Sequence, residues 1–483
     1  MNFRIIFGNI GFVVLIEAGC MVPSLIVSLI YRQEDAMAFL LTILIMLLAG
    51  ILLSGVKPLT KNIYARDGFA IVSLGWLAVS FFGALPFIFS GAIPSFADAL
   101  FESVSGFTTT GSTILKQIEV LPKGILFWRS FTHWIGGMGV LVLTLAILPS
   151  ANGSTLHIMK AESPGPNPVK LVPKMGQTAK ILYFIYIALT GIQVVLLLLA
   201  GMPLYDSLIH TFGTAGTGGF SSRNLSVGAY GNVYIDVIIT VFMFLFGVNF
   251  TLYYQSLRGN LKSALRDDEF RFYLVTVLLS ILLIAADIYG KFCSSIGESI
   301  RYAAFQVSSI ITTTGYSTTD FNLWPVFSKS ILVLLMFIGA CAGSTGGGIK
   351  CIRALVLLKM VKREIARVIH PRSVYTVKIG RKALAEESLT GIATYFFIYI
   401  FIFVISVLVV SFDDKDLVSS FTAVATTIGN VGPGLEIVGP MGSFAEFSVL
   451  SKAICTFCML VGRLEIYPVL ILFTPAFWRR VNI

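Results

Sequence analysis

Apolar stretches of about twenty residues recur along the whole chain, long enough at 1.5 Å per residue to cross a bilayer core of about 30 Å. They fall near 9–30, 36–55, 69–93, 126–148, 178–201, 233–257, 271–290, 328–342, 389–411 and 447–474. The run after 328 is short; it breaks and resumes over 349–359. Residues 1–67 predict a leading helical hairpin. After it, four units follow one pattern: a span, a short amphipathic helix, a polar loop ending in glycine, and a returning span. The short helices are expected at 95–106, 204–212, 298–310 and 416–426. At about ten residues they cannot cross, so each must enter from one side and stop part-way.

The loops that follow share a pattern: Thr109-Thr110-Gly111, Thr217-Gly218-Gly219, Thr313-Thr314-Gly315 and Thr427-Ile428-Gly429. Each glycine has a threonine two residues earlier, and three have an acid thirteen residues earlier (Asp98, Asp206, Asp416); the third unit has Tyr302 there. Non-helical backbone at membrane depth is tolerated only against protein or a water-filled cavity. The four loops are therefore expected to meet at one axis, where backbone carbonyls replace the water shell of a bare cation. Helix C-termini aimed at that axis favour positive charge. Four hairpin turns with no further role would leave the shared register unexplained.

Composition fixes the class independently. Hydrophobic residues make up 56% of 483 and charged residues 12%, against about 25% charged in soluble domains. The expected fold is all-α and integral to the membrane: a leading two-helix hairpin plus four span–pore helix–filter loop–span repeats, pseudo-fourfold around one pore. The divisions are 1–67, 68–150, 151–258, 259–388 and 389–483. The first run carries Glu17 and lacks a cleavage site, so it reads as a retained span. Glu17 itself is expected to tether the hairpin by a hydrogen bond.

The net charge of +10 is distributed as a topology signal. With both termini cytoplasmic, segments 1–8, 56–68, 149–180, 258–271, 349–388 and the C-terminal tail hold 24 of the 35 Lys and Arg. Nucleic acid is not indicated. The outer surplus of acids has two readings: the other half of that bias, or a device that concentrates cations at the mouth. Cys455 and Cys458, at i, i+3 with no histidine nearby, read as packing residues and not a zinc site.

Gly343-Ser344-Thr345-Gly346-Gly347-Gly348 interrupts the third returning span. It lacks the spacing and the preceding strand of a phosphate loop, and four glycines in six residues cannot hold a helix. It reads as a loop under the filter, with a simple kink as the alternative. Lys350 follows it. Arg463 is the one basic residue that finds no aqueous segment; it reads as a fixed charge limiting ion flow, or as a structural partner of Glu465 or of loop carbonyls.

These loops, together with HIMKAESPGPNPVKLVPKMGQTAK (157–180), GTGGFSS (216–222), RDDEFRFY (266–273), GACAGSTGGGIKCIRALVLLK (339–359), HPRSVYTVKIGRKAL (370–384) and GRLEIYPVLILFTPAFW (462–478), resemble the Trk/Ktr/HKT superfamily of potassium transporters. The likeness is to the Trk-H type bacterial membrane subunit and covers the whole length. It implies that Gly111, Gly219, Gly315 and Gly429 are filter glycines selecting potassium. It implies that 343–348, Lys350 and Arg463 form an intramembrane gate. It also implies a homodimer in the bacterial inner membrane and a cytosolic ring of nucleotide-binding regulatory subunits of Trk-A type, docked on the basic 349–388 face. No catalytic constellation or cofactor motif is present, so no enzyme activity is expected. Gated channel and proton- or sodium-coupled symporter both stay open.

Overall fold

The computed structural model describes residues 2–55, 65–139, 175–380 and 382–478. These are mostly helical; among them the strands are one two-residue antiparallel pair, Lys378–Ile379 against Lys382–Ala383. The helices in chain order are α1 (Phe3–Ile30), α2 (Ala36–Ser54), α3 (Ala65–Phe89), α4 (Phe96–Phe107), α5 (Lys123–Gly137), α6 (Met175–Leu199) and α7 (Leu204–Gly216). Next come α8 (Val233–Phe246), α9 (Phe250–Leu257), α10 (Leu261–Leu265), α11 (Asp268–Ile288), α12 (Ile296–Ile311) and α13 (Val326–Ile338). The chain continues with α14 (Cys351–Ile369), α15 (Glu386–Val410), α16 (Leu417–Gly429), α17 (Val449–Arg463), α18 (Tyr467–Leu472) and α19 (Pro475–Trp478). Six are long and apolar enough to cross a membrane, and the bent pair α8–α9 makes a seventh. Their exposed side chains are those of a lipid face, as Leu44, Leu48, Ile51 and Leu52 on α2 illustrate.

The leading hairpin packs closely because small residues face each other: a Cβ on Gly11 would lie 2.8 Å from the Gly50 carbonyl oxygen. Its turn is fixed to the first unit, where the Lys123 N–H donates to Gln33 (2.6 Å) and the Ile125 N–H to Asp35 (3.1 Å), capping α5. Glu17 departs from expectation. It is buried beside Gly83, and neither carboxylate oxygen has a hydrogen-bond partner among the described residues.

The short helices α4, α7, α12 and α16 are enclosed by the longer ones; from Ser419 to Gly429, α16 buries every residue except Phe421. The recurring acids belong to their N-terminal ends. Asp416 caps α16 by accepting the Ser419 N–H at 2.9 Å, while Asp98 and Asp206 lie in first turns. An acid there answers the unpaired N–H groups and the positive end of the helix dipole.

The returning spans are less continuous than their hydropathy predicts. The run over 233–257 is two helices bent by 91°, and the run over 447–474 breaks after Arg463, with Glu465 and Ile466 both at positive φ. Only the start of the 126–148 run is described; α5 ends at Gly137, and 140–174 lie outside the described residues. Apolar composition reports depth in lipid, not straightness, which is why these breaks escaped it.

Candidate ion pathway

Each short helix ends in the same hydrogen-bonded turn. The N–H groups of Thr110, Gly218, Thr314 and Val431 donate to carbonyls five residues earlier, at 2.9, 2.8, 2.8 and 2.8 Å. The residue before each bonds three residues back, which completes a Schellman motif. That preceding residue is left-handed in all four: Thr109 (φ 55°), Thr217 (56°), Thr313 (59°) and Asn430 (55°). A β-branched residue in this region is strained. Asparagine tolerates it far better.

This geometry corrects the register of the fourth loop. Thr427, Ile428 and Gly429 belong to α16, and Thr427 Oγ1 donates to the Ala423 carbonyl within the helix at 2.8 Å. The residues equivalent to Thr109-Thr110-Gly111 are Asn430-Val431-Gly432. The glycines at positive φ are accordingly Gly111, Gly219, Gly315 and Gly432. The Thr-x-Gly match drew the reading three residues early; the sequence signal that identifies the turn is Asn430, a residue suited to the left-handed cap.

The four turns close a ring through their backbones. A Cβ on Gly111 would lie 2.0 Å from the Gly218 carbonyl oxygen, one on Gly219 2.0 Å from Thr314, one on Gly315 2.3 Å from Val431, and one on Gly432 2.7 Å from Thr110. Glycine is therefore required sterically as well as conformationally. The adjoining Thr108, Thr109, Thr110, Thr217, Thr312, Thr313 and Thr314 are fully buried, and hydroxyl pairs Thr108–Thr110 and Thr312–Thr314 each stand 2.8 Å apart.

Beneath the ring lies the 339–350 segment. Gly347 N–H donates to Thr313 Oγ1 at 2.7 Å, and a Cβ there would come within 2.6 Å of the Gly429 carbonyl oxygen. The segment also fills the α8–α9 bend. Cys341 N–H donates to the Gly247 carbonyl (3.0 Å), Thr345 Oγ1 to that of Phe246 (3.2 Å), and Phe250 N–H to that of Gly343 (3.0 Å). Polar backbone exposed by two broken helices is thus mutually satisfied. Ser344 Oγ bonds the Cys341 carbonyl at 2.6 Å, and the buried Lys350 ammonium is given to the Gly346 carbonyl.

Arg463 joins this segment to the first unit. Its guanidinium donates to Thr345 (2.8 Å), Gly136 (2.5 Å) and Gly137 (2.7 Å) carbonyls. Glu465 pairs with Arg353, whose guanidinium also lies 3.9 Å from the Tyr395 ring. Nor is Arg463 alone in an apolar run. Arg129 is buried, 2.5 Å from Glu102 and 3.5 Å from the Phe220 ring. Glu102 accepts from Thr113 and Ile114 (2.9 and 3.0 Å) and Arg129 donates to the Ser221 carbonyl (3.2 Å), so this pair ties the first loop to the second. Its sequence signal was an arginine inside the 126–148 run.

A family model described as TrkH, a cation transport protein, matches residues 37–480. The chain belongs to the TrkH family. The Trk system potassium uptake protein TrkH of Salmonella typhimurium is 40% identical over 488 residues, covering 99% of this chain and 100% of that protein. Its Escherichia coli K12 counterpart is 39% identical over the same length and shares. The crystal structure of the potassium transporter TrkH from Vibrio parahaemolyticus aligns with a TM-score of 0.89 at 36% identity, over 99% of this chain and 100% of that one. As a TrkH family member the chain is a multi-pass membrane transport protein and not an enzyme.

Proposed function

We propose that this chain takes up potassium through a selective, gated pore, its filter the ring of Gly111, Gly219, Gly315 and Gly432 and its gate the 339–350 segment with Arg463. The observation that carries the reading is the closed backbone ring, in which no β-carbon fits and four helix C-termini converge. The names of the relatives, potassium uptake proteins and a potassium transporter, support the choice of ion. The glycine-rich segment obstructs the space below the ring, and Arg463 ties it through the Thr345 carbonyl to the Gly136 and Gly137 carbonyls at the end of α5. Four span–pore helix–filter loop–span repeats behind the leading hairpin, divided near 67, 150, 258 and 388, are part of the same reading.

The membrane potential supplies the drive, about 2.3 kcal/mol per charge per 100 mV. The proposed setting is the bacterial inner membrane with both termini cytoplasmic. A homodimer carries one pore per protomer, and a cytosolic nucleotide-binding ring docks on the basic 349–388 face. Reversal potentials of the purified chain in planar bilayers test the reading. The expected potential follows the potassium gradient alone; a shift with a pH or sodium gradient would establish coupled symport instead, and equal permeation of sodium would remove the filter.

A further inference from the structure

The motif RDDEFRFY plays no part in the ring or in the bonds that hold the 339–350 segment from above, yet its acids occupy a structural corner. Glu269 is buried at the start of α11, and a single oxygen, Oε1, accepts the N–H of Ala342 at 2.6 Å and of Ile352 at 3.1 Å. Ala342 lies just before the glycine run and Ile352 in the first turn of α14 just after it. A carboxylate holding two backbone N–H groups away from water makes charge-assisted bonds that neither end can replace locally.

Its neighbour faces the other way. Asp268 Oδ2 accepts from Lys359 Nζ on α14 (2.9 Å) and from the Gly380 N–H in the small hairpin (3.0 Å), while Lys359 also donates to the Lys378 carbonyl (2.8 Å). Asp267 caps α11 through the Phe270 N–H at 2.9 Å. Two consecutive carboxylates on one capped helix end thus grip the intramembrane segment and the 378–383 hairpin.

We infer that Glu269 is a positioning residue that latches the 339–350 segment closed, and that Asp268 links this latch to the 378–383 hairpin, so that a load on the hairpin reaches the segment. This rests on the reading of that segment as the gate. The physical requirement is a stiff connection, and the α11 end supplies one within a single turn of helix.

The segment carries its own reporters, since Cys341 and Cys351 are free and fully buried. The test uses the full chain in proteoliposomes with Cys20, Cys293, Cys455 and Cys458 replaced by serine. It measures modification of the two remaining thiols by a charged methanethiosulfonate, alongside rubidium efflux. Glu269→Ala should label about tenfold faster and leak rubidium more, as expected for losing bonds to a charged acceptor. Glu269→Gln should label more slowly than the alanine variant, because both N–H bonds reach one oxygen that an amide also offers, though without the charge. Asp268→Asn should move both readouts the same way but less. Parental labelling in Glu269→Ala, or a glutamine variant as fast as the alanine one, would overturn the latch; parental behaviour of Asp268→Asn would remove its link to the hairpin. If the alanine variant is not recovered from membranes, Glu269→Asp decides: it draws the oxygen back by one methylene and should label faster, and parental labelling there overturns the proposal. Labelling reports the segment whatever ion passes, so a parent without rubidium efflux would sink the pore reading alone.

Discussion

In the ring, four turns from distant parts of the chain repeat one backbone hydrogen bond at 2.8–2.9 Å and one left-handed residue with φ of 55–59°. Beneath it, the elements that follow the four turns differ from one another. The first helix ends at Gly137, the second bends by 91°, the third opens into the 339–350 segment, and the fourth stops at Arg463 before two residues at positive φ. The ring is symmetric because backbone closes it, with no room for a β-carbon at its four glycines, so side-chain differences such as Thr314 against Val431 leave it unchanged. The layer below is asymmetric: the 339–350 segment fills the α8–α9 bend, and Arg463 bridges that segment to Gly136 and Gly137 at the end of α5. On the proposed reading the ring supplies equivalent carbonyl ligands, and the gate is the element that differs among the four.

The contrast is broken most severely by putting a side chain in the ring. In Gly219→Ala the new Cβ meets the Thr314 carbonyl oxygen at 2.0 Å, at a φ of +78°. Displacement of that carbonyl should lower potassium-over-sodium discrimination at least about tenfold, given a left-handed penalty of about 1–2 kcal/mol before any clash; bi-ionic reversal potentials measure it. The same change at Gly432 should act likewise. At Gly429 it should cost stability through the Met336 carbonyl, 2.9 Å away, and spare discrimination. The reverse order would restore the Thr427-Ile428-Gly429 register.

The brace behind the ring comes next. Glu102→Ala strands the buried Arg129 charge, which is expected to cost about 3–5 kcal/mol and to lower the unfolding temperature in detergent. Arg129→Met with Glu102→Leu should recover most of that loss, because no charge is then left unpaired. A single variant as stable as the parent would show that water reaches Arg129.

Below the ring, Arg463 separates charge from geometry. Two unit charges about 8 Å apart at an effective dielectric of about 20 repel by about 2 kcal/mol, so Arg463→Ala should raise rubidium flux by up to about thirtyfold with discrimination kept. A lysine keeps the charge but cannot span three carbonyls. Flux near the parental value in Arg463→Lys assigns the effect to charge; flux near that of alanine assigns it to the bridge between Thr345 and Gly136.

The smallest effect is expected at an exposed pair in the loops after α4 and before α17. Lys116 and Glu446 approach to 3.1 Å with both side chains more than half exposed. The lysine holds the Glu446 carboxyl below its ordinary range through a hydrogen bond and its charge. Water and salt screen such a pair, so Lys116→Met should leave flux and unfolding temperature within error at 0.15 M salt. A clear loss would show that these loops brace the ring.

Local signals decided much of this protein from sequence alone. Hydropathy set the membrane class and placed the apolar segments in order, though not their continuity, because crossing about 30 Å of lipid demands long apolar runs wherever they occur. Three of the four glycine turns were legible for the same reason, as each is a local cap whose Thr-x-Gly lies within one turn of its helix. The fourth was not, since Thr427-Ile428-Gly429 and Asn430-Val431-Gly432 both satisfy local rules and only the fit of Gly432 against the Thr110 carbonyl chooses between them. The helix breaks and the partners of Arg463 were likewise settled in three dimensions. Gly136 and Thr345 are remote from Arg463 along the chain, and Ile466 at positive φ obeys no local preference; both conditions exist only where packed neighbours supply the compensating bonds.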